Sequence, residues 1–102
     1  MAQAKLHIPK QELAQFCRKY GLRKLSLYGS VLRNDFRSDS DIDVLVEFEP
    51  GQTIGLRIID MEAELARLLG GRHKVDIVSA KYLNPRLRER ILESAEVQYA
   101  EG

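Results

Sequence analysis

A chain of 102 residues can bury one real core but has no room for a catalytic domain plus a separate acceptor-binding domain. Its 16 Lys and Arg against 15 Asp and Glu leave a net charge of +1, too weak a field for an extended nucleic-acid surface, so direct nucleic-acid binding is not expected. The lone Cys17 excludes an intrachain disulfide, and no apolar leader or long apolar run marks export or a membrane span; a cytoplasmic protein is expected.

Residues 1–8 lack periodicity and read as a loose lead-in. Pro9 suits a first helical position, Leu13, Phe16, Cys17 and Tyr20 follow helical spacing, and Gly21 suits the left-handed position past a helix end. Within that stripe Cys17 reads as a small buried hydrophobe rather than a reactive thiol. Residues 24–28 read as a first strand, Gly29-Ser30 as a tight turn into a short helix, 34–40 as a polar loop and 41–48 as a second strand. Glu49-Pro50-Gly51-Gln52 breaks the pattern. Across 53–69, Ile54, Ile58, Met61, Leu65 and Leu68 step by three and four, which predicts an amphipathic helix ended by Gly70-Gly71. After the basic Arg72-His73-Lys74 turn, 75–78 is a short third strand. Asn84 as N-cap with Pro85 at the first helical position opens a last helix expected to carry Leu87 and Ile91 inward, and 97–100 reads as a short extended segment. There is no internal repeat, low-complexity tract or linker.

The chemistry is concentrated between residues 25 and 48. Strand alternation sends Ile42, Val44, Val46 and Phe48 to one side, the core, and Asp41 and Asp43 together to the other. Two carboxylates on one face repel and cost desolvation, and a divalent cation offsets both. Gly29-Ser30, where a strand gives way to a helical turn, offers backbone N–H groups to phosphate oxygens, and glycine lets the backbone come close. Asp76 is the one acid in an apolar strand, where a lone carboxylate costs several kcal/mol unless it is paired or metal-bound; the alternative is a strand-edge residue facing water. Arg33, one turn beyond Ser30, is placed either to reach a phosphate or simply to be solvated. Asp35 and Asp39 read as loop residues and Ser40 as a cap or turn residue beside the site. His7 and His73 lack the spacing of a metal or catalytic set, Lys74 reads as a surface charge, and Arg86, Arg88 and Arg90 do not share one helical face.

Gly-Ser, ten residues, then Asp-x-Asp resembles the signature of the nucleotidyltransferase superfamily related to DNA polymerase beta, in particular the minimal nucleotidyltransferases, the MntA-type antitoxins paired with HEPN toxins. Asn34 stands where many relatives have glycine after the arginine. The resemblance implies the nucleotidyltransferase fold, an α/β (α+β) domain with a small mixed sheet flanked by helices, as a single domain over residues 1–102. It implies that Asp41 and Asp43 hold two Mg2+ ions, one on the triphosphate of ATP and one shared with Asp76 as third carboxylate, with Gly29, Ser30 and Arg33 as nucleotide-binding positions. The acceptor it implies is a tyrosine hydroxyl of a HEPN toxin, silenced when AMP is attached. Two other readings accompany it: transfer to a small molecule, as in aminoglycoside nucleotidyltransferases, which carry an additional domain, and an antitoxin acting by binding alone, against which the intact Gly-Ser and three aspartates argue.

Overall fold

Lys10–Tyr20 forms the first helix, α1, in a computed structural model that describes residues 6–32, 36–37, 39–52 and 55–101. Pro9 is its N-cap rather than its first helical residue. An extended proline needs no N–H partner there, and its carbonyl accepts the first helical hydrogen bond, from Leu13 N at 2.9 Å. Leu13, Phe16, Cys17 and Tyr20 are buried as their spacing requires, and Gly21 closes the helix at φ 69°. Burial pushes the Cys17 thiol up to about 12, so it stays protonated and inert.

Four strands follow: β1 (Leu22–Tyr28), β2 (Ile42–Phe48), β3 (Val75–Ser79) and β4 (Glu96–Ala100). They form one mixed sheet in the order β3-β2-β1-β4, with β1 antiparallel to both β2 and β4, and β3 parallel to β2. A parallel pair needs a crossover, and the second helix, α2 (Ile58–Leu68), supplies it. The sheet is the small mixed one expected. β1 begins two residues before the predicted strand because Leu22 pairs with Phe48 and is buried; an irregularity between Leu22 and Lys24 then resets the alternation so that Leu25 and Leu27 face the same core.

That core lies on one face of the sheet. Ile42, Val44 and Val46 of β2 and Val75 and Ile77 of β3 join Leu25 and Leu27 against α1 and against Met61 and Leu65 of α2. Each fully buried side chain of this size contributes about 1.5–3 kcal/mol relative to exposure. α2 starts later than the expected helix, after a 3-10 turn at Gly55–Arg57; residues 53 and 54, and with them Ile54 of the apolar stripe, lie outside the described residues. Gly70-Gly71 ends it as expected, the Gly71 N–H returning to the Ala66 carbonyl at 2.8 Å. From α2, Glu62 accepts the Ile77 N–H at 2.8 Å, which satisfies a donor on the edge strand β3.

The third helix, α3 (Pro85–Ser94), starts as the sequence indicates, Asn84 Oδ1 accepting from Arg86 N at 3.0 Å and Pro85 following. Its expected inward face is not found. None of its residues is buried, Leu87 is 50% exposed, and Ile91 is half-buried, because α1 and α2 already cover the packed face of the sheet. No helix among the described residues is long and apolar enough to cross a membrane.

Candidate active site

The face of the sheet turned away from α1 and α2 carries a different set of side chains. Register arranges them in rows: Lys24 beside Glu47, then Ser26, Leu45 and Val78, then Tyr28, Asp43 and Asp76. The first row is an exposed ion pair at 3.9 Å, worth little to stability. The middle row is a floor, with Ser26 and Leu45 each only 2% exposed. The last row sets a phenol and two carboxylates on three adjacent strands.

Strands stand about 4.8 Å apart, so the Asp43 and Asp76 carboxylates are within reach of one another's field and of a shared ion. The Tyr28 hydroxyl registers that field. It is held above the ordinary tyrosine range first by burial and then by the charges of Asp43 and Asp76. In the sequence Tyr28 reads as plain strand. Its parity with Ser26, and its place just before Gly29, were the signals available.

Directly after Tyr28 the chain turns through a four-residue 3-10 helix, Gly29–Leu32, which is the short helix expected after Gly29-Ser30, tighter and shorter than an α-helix. Gly29 adopts φ 79°, and a Cβ there would stand 2.5 Å from Asp43 Oδ2 and 3.4 Å from its Cγ. Both facts demand glycine. The turn's backbone therefore lies against the Asp43 carboxylate, and Ser30 follows half-buried beside it. Arg33, Asn34 and Asp35 lie outside the described residues.

Asp41 precedes β2 and is exposed, one alternation step beyond Asp43. Its flanks are fixed: Ile42 N donates to the Lys74 carbonyl at 2.8 Å, and the Ser40 carbonyl is held by His73 at 2.8 Å. Ser40 is the turn residue expected, accepting from Arg37 N at 2.9 Å and returning its own N–H to the Arg37 carbonyl. Asp76 is exposed on the edge strand between buried Val75 and Ile77, the water-facing edge position that was the alternative to a paired or metal-bound carboxylate, so no desolvation cost singles it out. What singles it out is its register opposite Asp43.

Among the described residues, no group of three or more His, Cys, Asp or Glu side chains is placed to hold a metal ion, so Asp41, Asp43 and Asp76 do not form a ready three-carboxylate cluster. The donor set nevertheless suits Mg2+, a hard ion that keeps several waters and takes one or two carboxylates plus substrate phosphates rather than an all-protein cage. Asp43 and Asp76 stand side by side at one corner of the sheet, with the Gly29 backbone close against the Asp43 carboxylate. A cleft of about 800 Å³, lined in part by Arg23, Phe48, Lys81, Tyr82 and Arg88, opens at the opposite end of the strands and includes none of the predicted site residues.

Residues 11–101 match the profile of the family described as Polymerase beta, Nucleotidyltransferase. A Methanocaldococcus jannaschii protein named for protein adenylyltransferase activity is 35% identical over 86 residues, which covers 84% of this chain and 89% of the relative. The protein adenylyltransferase MntA of Thermococcus cleftensis is 36% identical over 83 residues, covering 81% and 78%. Among solved structures, a minimal nucleotidyltransferase superposes with a TM-score of 0.69 at 41% identity over 84% of this chain and 85% of its own. An MNT antitoxin in complex with a tri-AMPylated Shewanella oneidensis HEPN toxin shares the fold, with a TM-score of 0.63 at 18% identity over 89% and 69%.

Proposed function

The chain belongs to the polymerase beta nucleotidyltransferase family, and from that premise we propose that it transfers AMP from ATP to a tyrosine hydroxyl of a HEPN toxin and so acts as its antitoxin in the cytoplasm. The observation that carries this reading is the contact between the Gly29 backbone and the Asp43 carboxylate, with Asp76 in register across β2 and β3. It sets a backbone able to approach phosphate against a carboxylate able to hold metal. The names and partners of the relatives support the acceptor.

Asp41, Asp43 and Asp76 are the residues that would hold Mg2+, as two ions. Bound there, Mg2+ supplies charge neutralisation of the triphosphate and lowers the pKa of the attacking hydroxyl. The residues of this chain do the rest. Gly29 admits the phosphates close to the main chain because it has no side chain, and Ser30 orients them from the same turn. Arg33 belongs to the same nucleotide-binding segment. Asp43 and Asp76, in register on neighbouring strands, would hold their carboxylates in fixed relation, and the acceptor oxygen would attack the α-phosphorus opposite the leaving pyrophosphate. The oxygen–phosphorus bond forms as the bond to pyrophosphate breaks.

Incubation with labelled ATP, Mg2+ and the HEPN partner, read by intact mass, tests the reading. One or more AMP groups on the toxin, lost with Asp76→Asn, are the expected result. A tight complex with no mass change, and full neutralisation by an Asp41→Asn, Asp43→Asn double variant, would establish a binding-only antitoxin instead. Label on a small molecule but never on protein would favour aminoglycoside-like transfer.

A further inference from the structure

His73 sits on the turn between α2 and β3, three residues before Asp76, and reaches across to the segment that leads into Asp41. Its Nδ1 lies 2.8 Å from the Ser40 carbonyl oxygen, and its ring packs on Phe36 with centroids 4.7 Å apart and planes 33° apart. A carbonyl can only accept, so Nδ1 carries the proton and donates. The parallel ladder between β2 and β3 starts at the Ile42–Val75 pair, with Ile42 N donating to the Lys74 carbonyl. Asp41 lies just beyond that start, where no strand partner holds it. The His73 ring extends the attachment by one peptide. Asp41 is thus bracketed, its following amide tied to Lys74 and its preceding carbonyl tied to His73, two successive residues of one turn.

We propose that His73 is a positioning residue of the active site: it pins the Ser40 peptide and thereby fixes where the Asp41 carboxylate stands relative to Asp43 and Asp76. The inference rests on the reading of Asp41 as a metal-holding residue, since its consequence is an effect on metal affinity. Phe36 holds the imidazole in the plane the hydrogen bond needs, and the Arg37–Ser40 turn presents the carbonyl to it. Outer groups that orient metal-holding side chains change metal affinity by about 10- to 100-fold when removed.

Two variants separate donor from ring. His73→Phe keeps a ring against Phe36 and loses the donor, whereas His73→Asn places an amide N–H near the position of Nδ1 and loses the ring. Nitrogen-detected NMR of the parent should show the Nδ1–H tautomer at neutral pH. Titration with Mn2+ alone, followed by relaxation of the Asp41 and Ile42 amides, should show His73→Phe needing about 10-fold more metal. His73→Asn should recover most of the parent affinity, and melting temperatures should stay close together. In the transfer assay the Mg2+ requirement should move in the same order, with the KM for ATP moving less. Parent-like Mn2+ affinity in His73→Phe, an Nε2–H tautomer, or His73→Asn as impaired as His73→Phe would each overturn the proposal. The Mn2+ and tautomer measurements stand without turnover, so failure of AMP transfer in the parent overturns the functional reading while these still decide the role of His73.

Discussion

The two faces of the sheet are made by the same strands and obey different rules. On one, Ile42, Val44 and Val46 alternate into a core closed by α1 and α2; on the other, Asp43 takes the intervening position beside Tyr28, Gly29 and Asp76. The packed face answers to volume, the open face to charge and close approach. Within β2, parity sends Ile42, Val44 and Val46 to the core and Asp43 to the other face, where Leu45 is buried as well.

The sharpest break of the packed face is Leu65→Ala. Leu65 is fully buried, and loss of its side chain should cost about 2–5 kcal/mol in chemical denaturation, with residual activity per folded molecule unchanged. Gly29→Ala is the point where the two faces meet. A left-handed alanine costs about 1–2 kcal/mol before any clash, and the added Cβ must displace Asp43, so a moderate drop in stability should accompany complete loss of ATP-dependent transfer.

Asp43→Asn should reverse that balance. It removes one of two facing like charges, so the apo protein should melt within about 1 kcal/mol of the parent, while stabilisation by Mg2+ and all transfer disappear. Tyr28→Phe should have the smallest effect, visible only at high pH. The Tyr28 hydroxyl is held above its ordinary value of 10.0, so above pH 10 the unfolded chain loses this proton before the folded one does. Its stabilising contribution is complete below pH 10 and declines as pH rises through the folded value; the variant should show a flatter decline in melts from pH 9 upward.

Much of this division is legible in the chain itself. Alternation in residues 41–48 separates the acids from the apolar set, and the Gly-Ser turn announces close backbone approach. Helical spacing identifies α2 because its stripe is one the sheet then covers. It misleads for α3, where Leu87 has the same periodic credentials and half its surface in water: periodicity records that a stripe exists, and only the tertiary arrangement decides whether a layer lies against it. Asp76 stands out in the chain as the one acid of an apolar strand and as the position that the resemblance matches; its exposure removes the desolvation argument, and its register opposite Asp43 is a relation no linear spacing contains. His73, which the sequence sets aside for lack of metal or catalytic spacing, is placed by a relation of the same kind. Its partner is a backbone carbonyl 33 residues away, and a carbonyl has no sequence signature.

The near-contact between Gly29 and Asp43 also bears on how this site can be altered. A library that randomises position 29 alone explores almost nothing, because any larger residue there meets the Asp43 carboxylate, and relieving the collision by shortening residue 43 discards the acid. The two positions behave as one letter of the design alphabet, and a double-mutant cycle across them should be strongly non-additive. Retargeting the enzyme to other nucleotides or acceptors must therefore start from its rim and leave this pair untouched.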